Sequence, residues 1–379
     1  MKKEHSLILK AVLQNKSEKE IREIDKILDS NLDWIEIAGI ALNHRLGGYI
    51  YKGLNTSQQK KMPKEVVKAL ELLVRAQKEQ FEENLEEICK VNDALEEAKI
   101  KFAVLKGAFF GCEMYEKGTR RSNDIDLLVY EDDLGKLDTC LRAMGYIQSN
   151  MSNGEMVEAT KKEKIIQRMN YHDLVPYVKK TKMGILELDI NFLFDGNKNL
   201  IDKNVYEMGT MVYKGRYRIT GLNPYTNLAF LCCHFYREAT DTIWTEGKRD
   251  VTLYKIVDMM NFIRFYREQI NYDIMIEVLK KLNIEKKAYF TFKIMTEFYE
   301  YEFLSEMLSR LDEYKSGDDE MKAIHDTKNK TTIYRDETFF EKTFAVCQRT
   351  HIFVAIFTTK EMIVSINMNN NWRPSLRNT

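Results

Sequence analysis

The sequence predicts an α+β protein, a small mixed β-sheet core set between an N-terminal and a C-terminal helical region. Three observations lead there. Only 4 prolines and 17 glycines interrupt 379 residues, which leaves room for long helices. Apolar residues recur at helical spacing through the first hundred residues and again after Gly221. Between those stretches, short apolar runs bounded by glycine and polar turns replace the helical spacing, as buried strands require. The chain divides accordingly into an N-terminal helical region over 1–98, a core over 99–220 and a C-terminal helical region over 221–379, enough length to bury a substantial core.

Each element follows from its pattern. In the first 60 residues, Leu7, Leu9, Val12, Ile21, Ile24 and Leu28 mark short helices joined by polar turns. Pro63 sits where a helix begins, and Leu70, Val74, Phe81, Leu85, Ile88 and Leu95 recur in steps of three, four or seven, predicting one amphipathic helix from Lys64 to Ala98. Phe102 to Leu105 suits a buried strand, followed by a Lys106-Gly107 turn, a helix over 108–117 and a polar loop from Gly118 to Asn123. Asp124 to Val129 reads as strand, and Glu131 to Met144 as helix stopped by Gly145. Two more strands are expected from Tyr171 to Val178 and from Ile185 to Phe192, joined by a turn from Lys180 to Gly184. Helices are expected over Leu228 to Arg237, Leu253 to Arg264 and Ile274 to Leu282, with an exposed loop from Lys315 to Thr332 and a disordered tail over the last ten residues.

Composition excludes several classes of function. Lys plus Arg number 58, as do Asp plus Glu, so the broad positive footprint of a protein that coats nucleic acid or an acidic membrane is missing. Extensive nucleic-acid binding is therefore not expected. Apolar runs such as Ile352 to Phe357 fall far short of the roughly 18 residues of a membrane span. No signal-peptide core follows Met1 to His5, so the expectation is a cytoplasmic protein with no membrane partner. The six cysteines show no Cys-x-x-Cys spacing and are read as reduced and mostly buried rather than as a zinc module or disulfide framework.

The chemistry concentrates in two strands. Alternation puts Asp124 and Asp126 on one face of their strand, while Ile125, Leu127 and Val129 form its buried back. Glu187 and Asp189 repeat the arrangement in Ile185 to Ile190, so pairing of the two strands would bring four carboxylates together. Oxygen-only sites suit Mg²⁺ or Mn²⁺, and two such ions about 3.5–4 Å apart can serve both the attacking and the leaving oxygen of an in-line phosphoryl displacement. The Gly107 turn between strand and helix offers backbone N–H groups to an anion. Lys106 and Arg120 add positive charge, with Arg121 and Ser122 as helpers.

Leu105-Lys106-Gly107, Gly118-Thr119-Arg120 and Asp124-Ile125-Asp126-Leu127-Leu128-Val129 together resemble the DNA polymerase β-like nucleotidyltransferase superfamily. More closely, they resemble its branch of uncharacterised bacterial nucleotidyltransferases, in which Lys-Gly stands where other members carry Gly-Ser or Gly-Gly. Tyr171-His172-Asp173, Leu228 to His234 and Leu253 to Asp258 extend the resemblance over about residues 30 to 265. It implies a nucleotidyltransferase core in which Asp124 and Asp126 hold two Mg²⁺ ions, with Mn²⁺ as a substitute. A carboxylate on the later strand completes the site. That branch carries Asp or Glu, a hydrophobic residue and His there, so Glu187 carries over as third ligand while Asp189 departs from the pattern. The implied reaction moves a nucleoside monophosphate from an Mg-NTP such as ATP to an acceptor hydroxyl of a small molecule or protein, with Lys106, Gly107, Arg120 and Ser122 receiving the triphosphate.

Plainer readings stand beside these. The Asp pair alone would suit a solvated strand end, polar-out alternation alone explains Glu187, and Lys106 and Arg120 are also ordinary surface cations. His172 and His234 read as structural. Cys232-Cys233-His234 does not make a zinc site, because adjacent helical residues point in different directions. Asp258 reads either as a residue that closes over a ligand or as a partner of Lys255 or Arg249. Two rival functions remain: a nucleotide-binding module without catalysis, and a regulatory partner-binding protein like the toxin–antitoxin members of the superfamily.

Overall fold

The computed structural model describes residues 1–121, 124–150, 155–171, 174–182, 184–194, 209–247, 249–326 and 329–345. Five helices open the chain: α1 (Lys3–Ala11), α2 (Glu18–Leu28), α3 (Trp34–Asn43), α4 (Gly47–Gly53) and α5 (Thr56–Gln59). Ser17 and Glu20 close a reciprocal capping box at the start of α2, and Asn55 with Gln58 does the same for α5. The long helix is α6 (Lys64–Glu97), 34 residues entered from Pro63. Its buried stripe includes Leu70, Val74, Phe81, Leu85, Ile88 and Leu95, as the periodicity predicts.

A seven-stranded mixed sheet forms between residues 102 and 222. Its strands are β1 (Phe102–Val104), β2 (Asp124–Val129), β3 (Ile147–Gln148), β4 (Tyr177–Thr181), β5 (Gly184–Asn191), β6 (Thr210–Lys214) and β7 (Arg218–Leu222), in the spatial order β3-β4-β5-β2-β1-β7-β6. Most neighbours are antiparallel, but β2 with β5 and β1 with β7 run parallel. Connecting helices are α7 (Lys106–Glu113), α8 (Leu134–Ala143) and α9 (Lys161–Tyr171). One face of the sheet packs on α6. Lys179 of β4 reaches Glu87 of α6 at 2.8 Å, and the neighbouring Val178 pairs with Glu187, so alternation turns Glu187 to the opposite face.

After β7, α10 (Pro224–Ala239), α11 (Thr242–Glu246), α12 (Leu253–Phe265), α13 (Tyr272–Leu282), α14 (Glu285–Met295) and α15 (Glu302–Arg310) form the C-terminal helical region. Asn223 caps α10 ahead of Pro224 in its first turn. Beyond lie α16 (Asp318–Lys322), the hairpin β8 (Ala323–Asp326) and β9 (Thr331–Tyr334), and α17 (Phe339–Ala345).

Four local readings change. The strand expected over Tyr171 to Val178 begins only at Tyr177; Tyr171 ends α9, and residues 172 and 173 lie outside the described residues. Thr160 and Glu163 bond reciprocally to start that helix, so local capping sets its beginning. The hairpin β6–β7 lies where no element was expected. The segment Lys315 to Thr332 is a short helix and a strand pair, because Ala323 and Ile324 are buried. Finally, α7 starts at Lys106 rather than at 108.

Candidate functional site

The geometry begins with strand pairing. In the parallel ladder of β2 and β5, Asp124 stands opposite Glu187 and Asp126 opposite Asp189. Residues paired in a parallel ladder point to the same face, so all four carboxylates rise from one side of two adjacent strands. The back is apolar and buried, with Ile125, Leu127, Leu186, Leu188 and Ile190 each no more than 2% exposed. Such a back fixes the height and spacing of the acids above the sheet.

Lys106 comes in from β1. Leu105 N–H donates to the Asp126 carbonyl at 2.9 Å, which brings the start of α7 against the middle of β2. The Lys106 ammonium then lies 2.6 Å from Asp126 Oδ1, with the two side chains 16% and 9% exposed. Burial opposes both charges, and the net result raises both pKa values. Desolvation pushes the Asp126 carboxyl up, aided by Asp124, against Lys106 and Arg120. Lys106 is held up by Asp126 and more distantly by Glu238, against its own desolvation. No side chain caps α7, so its first-turn N–H groups, Gly107 included, remain donors for an anion.

The special backbone angle falls on Lys106, not on Gly107. Lys106 has φ of 43°, a left-handed conformation that costs an L-residue about 1–2 kcal/mol. Gly118, in the loop before β2, is also left-handed, with φ of 86°. A Cβ on it would lie 2.7 Å from the Val74 carbonyl oxygen, and one on Gly48 would lie 2.3 Å from that of Thr119. Helices α4 and α6 thus clamp the loop that carries Arg120.

Arg120 is a tie between regions. Its Nε donates to Asp258 Oδ2 at 2.8 Å and its Nη1 to the Arg121 carbonyl at 3.1 Å. Asp258 Oδ1 also accepts from Tyr49 at 2.6 Å and Tyr115 at 2.8 Å. Asp258 therefore joins α4, the core and α12, and of its two expected roles it takes the structural one with new partners. The Arg120 charge still acts on Asp126 and on His234. Its guanidinium and that of Arg45 both lie over the Tyr254 ring, at 5.4 and 5.5 Å.

Arg121 belongs to a cationic group that local sequence did not assemble. Burial lowers it to about 10, with Arg45 and Arg249 pushing the same way and Asp124 opposing. Arg45 and Arg249, from two distant segments, therefore act on Arg121 beside the Asp pair. On the Asp126 side, α10 presents His234, Arg237 and Glu238. His234 Nε2 lies 3.4 Å from Glu238 Oε2, and Lys255 lies 2.5 Å from that oxygen. Burial holds His234 well below the ordinary histidine range, with Lys106, Arg237, Lys255 and Arg120 adding to the effect. Cys232 and Cys233 are buried among the helices, so they and His234 do not form one site.

As donors, four carboxylates on one face fit hard divalent cations in type. Among the described residues, no three His, Cys, Asp or Glu side chains converge closely enough to hold an ion as they stand; Asp126 is turned to Lys106. Ser122 and His172 lie outside the described residues. No helix among the described residues is long and apolar enough to cross a membrane.

A family model described as uncharacterised nucleotidyltransferase matches residues 30–300. Among solved structures, the chain is similar to an antigenic nucleotidyltransferase-like protein from Paracoccidioides brasiliensis, at 12% identity and a TM-score of 0.30, over 48% of this chain and 77% of that one. No curated protein matches.

Proposed function

The chain belongs to this uncharacterised nucleotidyltransferase family, and we propose that it catalyses metal-dependent transfer of a nucleoside monophosphate from Mg-NTP to an acceptor hydroxyl. The observation that carries the reading is the register that sets Asp124 and Asp126 beside Glu187 and Asp189 on one face, with cations on both flanks.

Asp124 and Asp126 would hold two Mg²⁺ ions, or Mn²⁺, with Glu187 as third carboxylate and Asp189 beside it. Bound there, the ions would neutralise phosphate charge and lower the cost of forming the nucleophile. Residues of the chain itself do the rest. The first turn of α7 at Gly107 and the Lys106 ammonium receive triphosphate oxygens. Arg120, anchored by Asp258, holds the α12 wall against the loop and adds its field. The acceptor oxygen attacks the α-phosphorus, the bond to the β-phosphate oxygen breaks, and pyrophosphate leaves. The hydroxyl proton passes to a carboxylate on β5, Glu187 being best matched.

The acceptor is a small molecule or a protein, consistent with a chain that has no overall positive charge. The test is incubation with each α-labelled NTP, Mg²⁺ and cell extract, followed by separation of labelled products. Label from one NTP on one acceptor class is expected. Tight NTP binding with no label transferred from any NTP would favour the non-catalytic nucleotide-binding reading.

A further inference from the structure

Lys106 occupies an unusual position for a phosphate-binding lysine. Its ammonium already sits on a carboxylate that the proposed reaction needs for a divalent ion, 2.6 Å from Asp126 Oδ1 in a largely dry setting. The residue reaches there from a left-handed backbone, φ 43°, at the first position of α7. The Phe230 ring lies 6.0 Å from the ammonium. The other anion that acts on Lys106, Glu238 on α10, is already held by Lys255 at 2.5 Å, so Asp126 is the partner of the ammonium until another anion arrives.

We propose that Lys106 is a placeholder cation, which keeps Asp126 paired in the absence of ligand and is exchanged for a divalent ion as the nucleotide arrives. The inference rests on the reading of Asp124 and Asp126 as metal ligands. A buried ammonium and a divalent ion on one carboxylate repel each other strongly unless a further anion joins them. A divalent ion arriving alone must therefore displace the ammonium, which pairs with no phosphate in exchange. An ion arriving with a triphosphate supplies the ammonium with a new anionic partner in the same step. The consequence is selectivity: free metal binds weakly, and the metal–nucleotide complex binds well.

The test measures Mn²⁺ binding to the full chain by the loss of the free-ion paramagnetic resonance signal, without nucleotide. Two neutral variants guard against a folding artefact. Lys106→Gly suits the left-handed φ without strain, and Lys106→Met keeps the aliphatic stem. Both should bind Mn²⁺ more tightly than the unaltered protein, by roughly tenfold or more given the strength of a buried like-charge contact, while Lys106→Arg should stay weak. Addition of a non-hydrolysable ATP analogue should raise Mn²⁺ affinity in the unaltered protein and much less in Lys106→Gly.

Equal Mn²⁺ affinity in the unaltered protein and both neutral variants, with binding still weakened by Asp124→Asn, would overturn the placeholder role and leave the metal site standing. Binding that Asp124→Asn and Asp126→Asn do not change, or none at all with or without the analogue, would overturn the metal reading and the placeholder with it.

Discussion

Asp258 shows what one buried carboxylate holds together. Its two oxygens take Arg120, Tyr49 and Tyr115, and the Asp258 side chain is only 4% exposed. Asp258→Asn would leave the Arg120 guanidinium buried beside a neutral amide, and breaking a buried pair this way costs about 3–5 kcal/mol. Urea unfolding should show a loss of that size; a loss near that of an exposed pair would mean the network is not shared. The Arg120 charge was legible in the sequence because it stands near the Asp-x-Asp pair. Its partner was not, since 138 positions separate them and no local pattern links a loop to a helix of another region. Arg45 escaped notice for the same reason, and Arg249 was read only as a candidate partner of Asp258. The four carboxylates were legible because strand alternation assigns their faces without tertiary knowledge.

At the scale of elements, the clamp on the loop before β2 decides where the Asp pair sits. The Gly118 backbone is left-handed and has the Val74 carbonyl where a side chain would begin. Gly118→Ala adds conformational strain of about 1–2 kcal/mol to a contact that must move a helix backbone. A drop in stability beyond that range, with weakened nucleotide binding, is expected by thermal melting and calorimetry. A fully stable Gly118→Ala would show that α4 and α6 do not fix the loop. Long periodic helices and buried strands were readable because burial repeats along them. The hairpin β6–β7 was not, since at the sheet edge Met211 and Val212 are exposed and the apolar alternation fades. Helix α9 did leave a sign in Thr160 and Glu163, but its apolar residues Ile165, Ile166 and Met169 are exposed, so periodicity gave no buried stripe.

Across the whole molecule, the last described helix ties the N-terminal and C-terminal helical regions. The Phe344 ring stacks on His5 at 3.9 Å, and Lys342 bonds Asp250 at 2.6 Å. His44 accepts from the Leu253 N–H at 3.2 Å on Nδ1, which leaves Nε2 to donate to the Thr343 carbonyl at 2.8 Å. Burial lowers the His44 pKa from 6.5 to about 4. The unfolded chain therefore binds a proton between those values that the folded protein refuses, so the contribution to stability is full above 6.5 and falls as pH drops toward 4. The melting temperature should decline from pH 6.5 to 5, and His44→Gln should flatten that decline. An unchanged slope in the variant would remove His44 from the account. The balance of 58 positive and 58 negative residues takes its local meaning here, with acids gathered on two strands and cations on the segments around them.

The most direct measurement is the rate of pyrophosphate release and label transfer in Asp126→Asn against the unaltered protein, with the accepted NTP, acceptor and Mg²⁺ and with folding checked by circular dichroism. A folded variant that loses about a hundred- to a thousandfold in rate, the scale set by removing a central electrostatic group, is the predicted result. Turnover within a fewfold of the unaltered protein would contradict the assignment of the site.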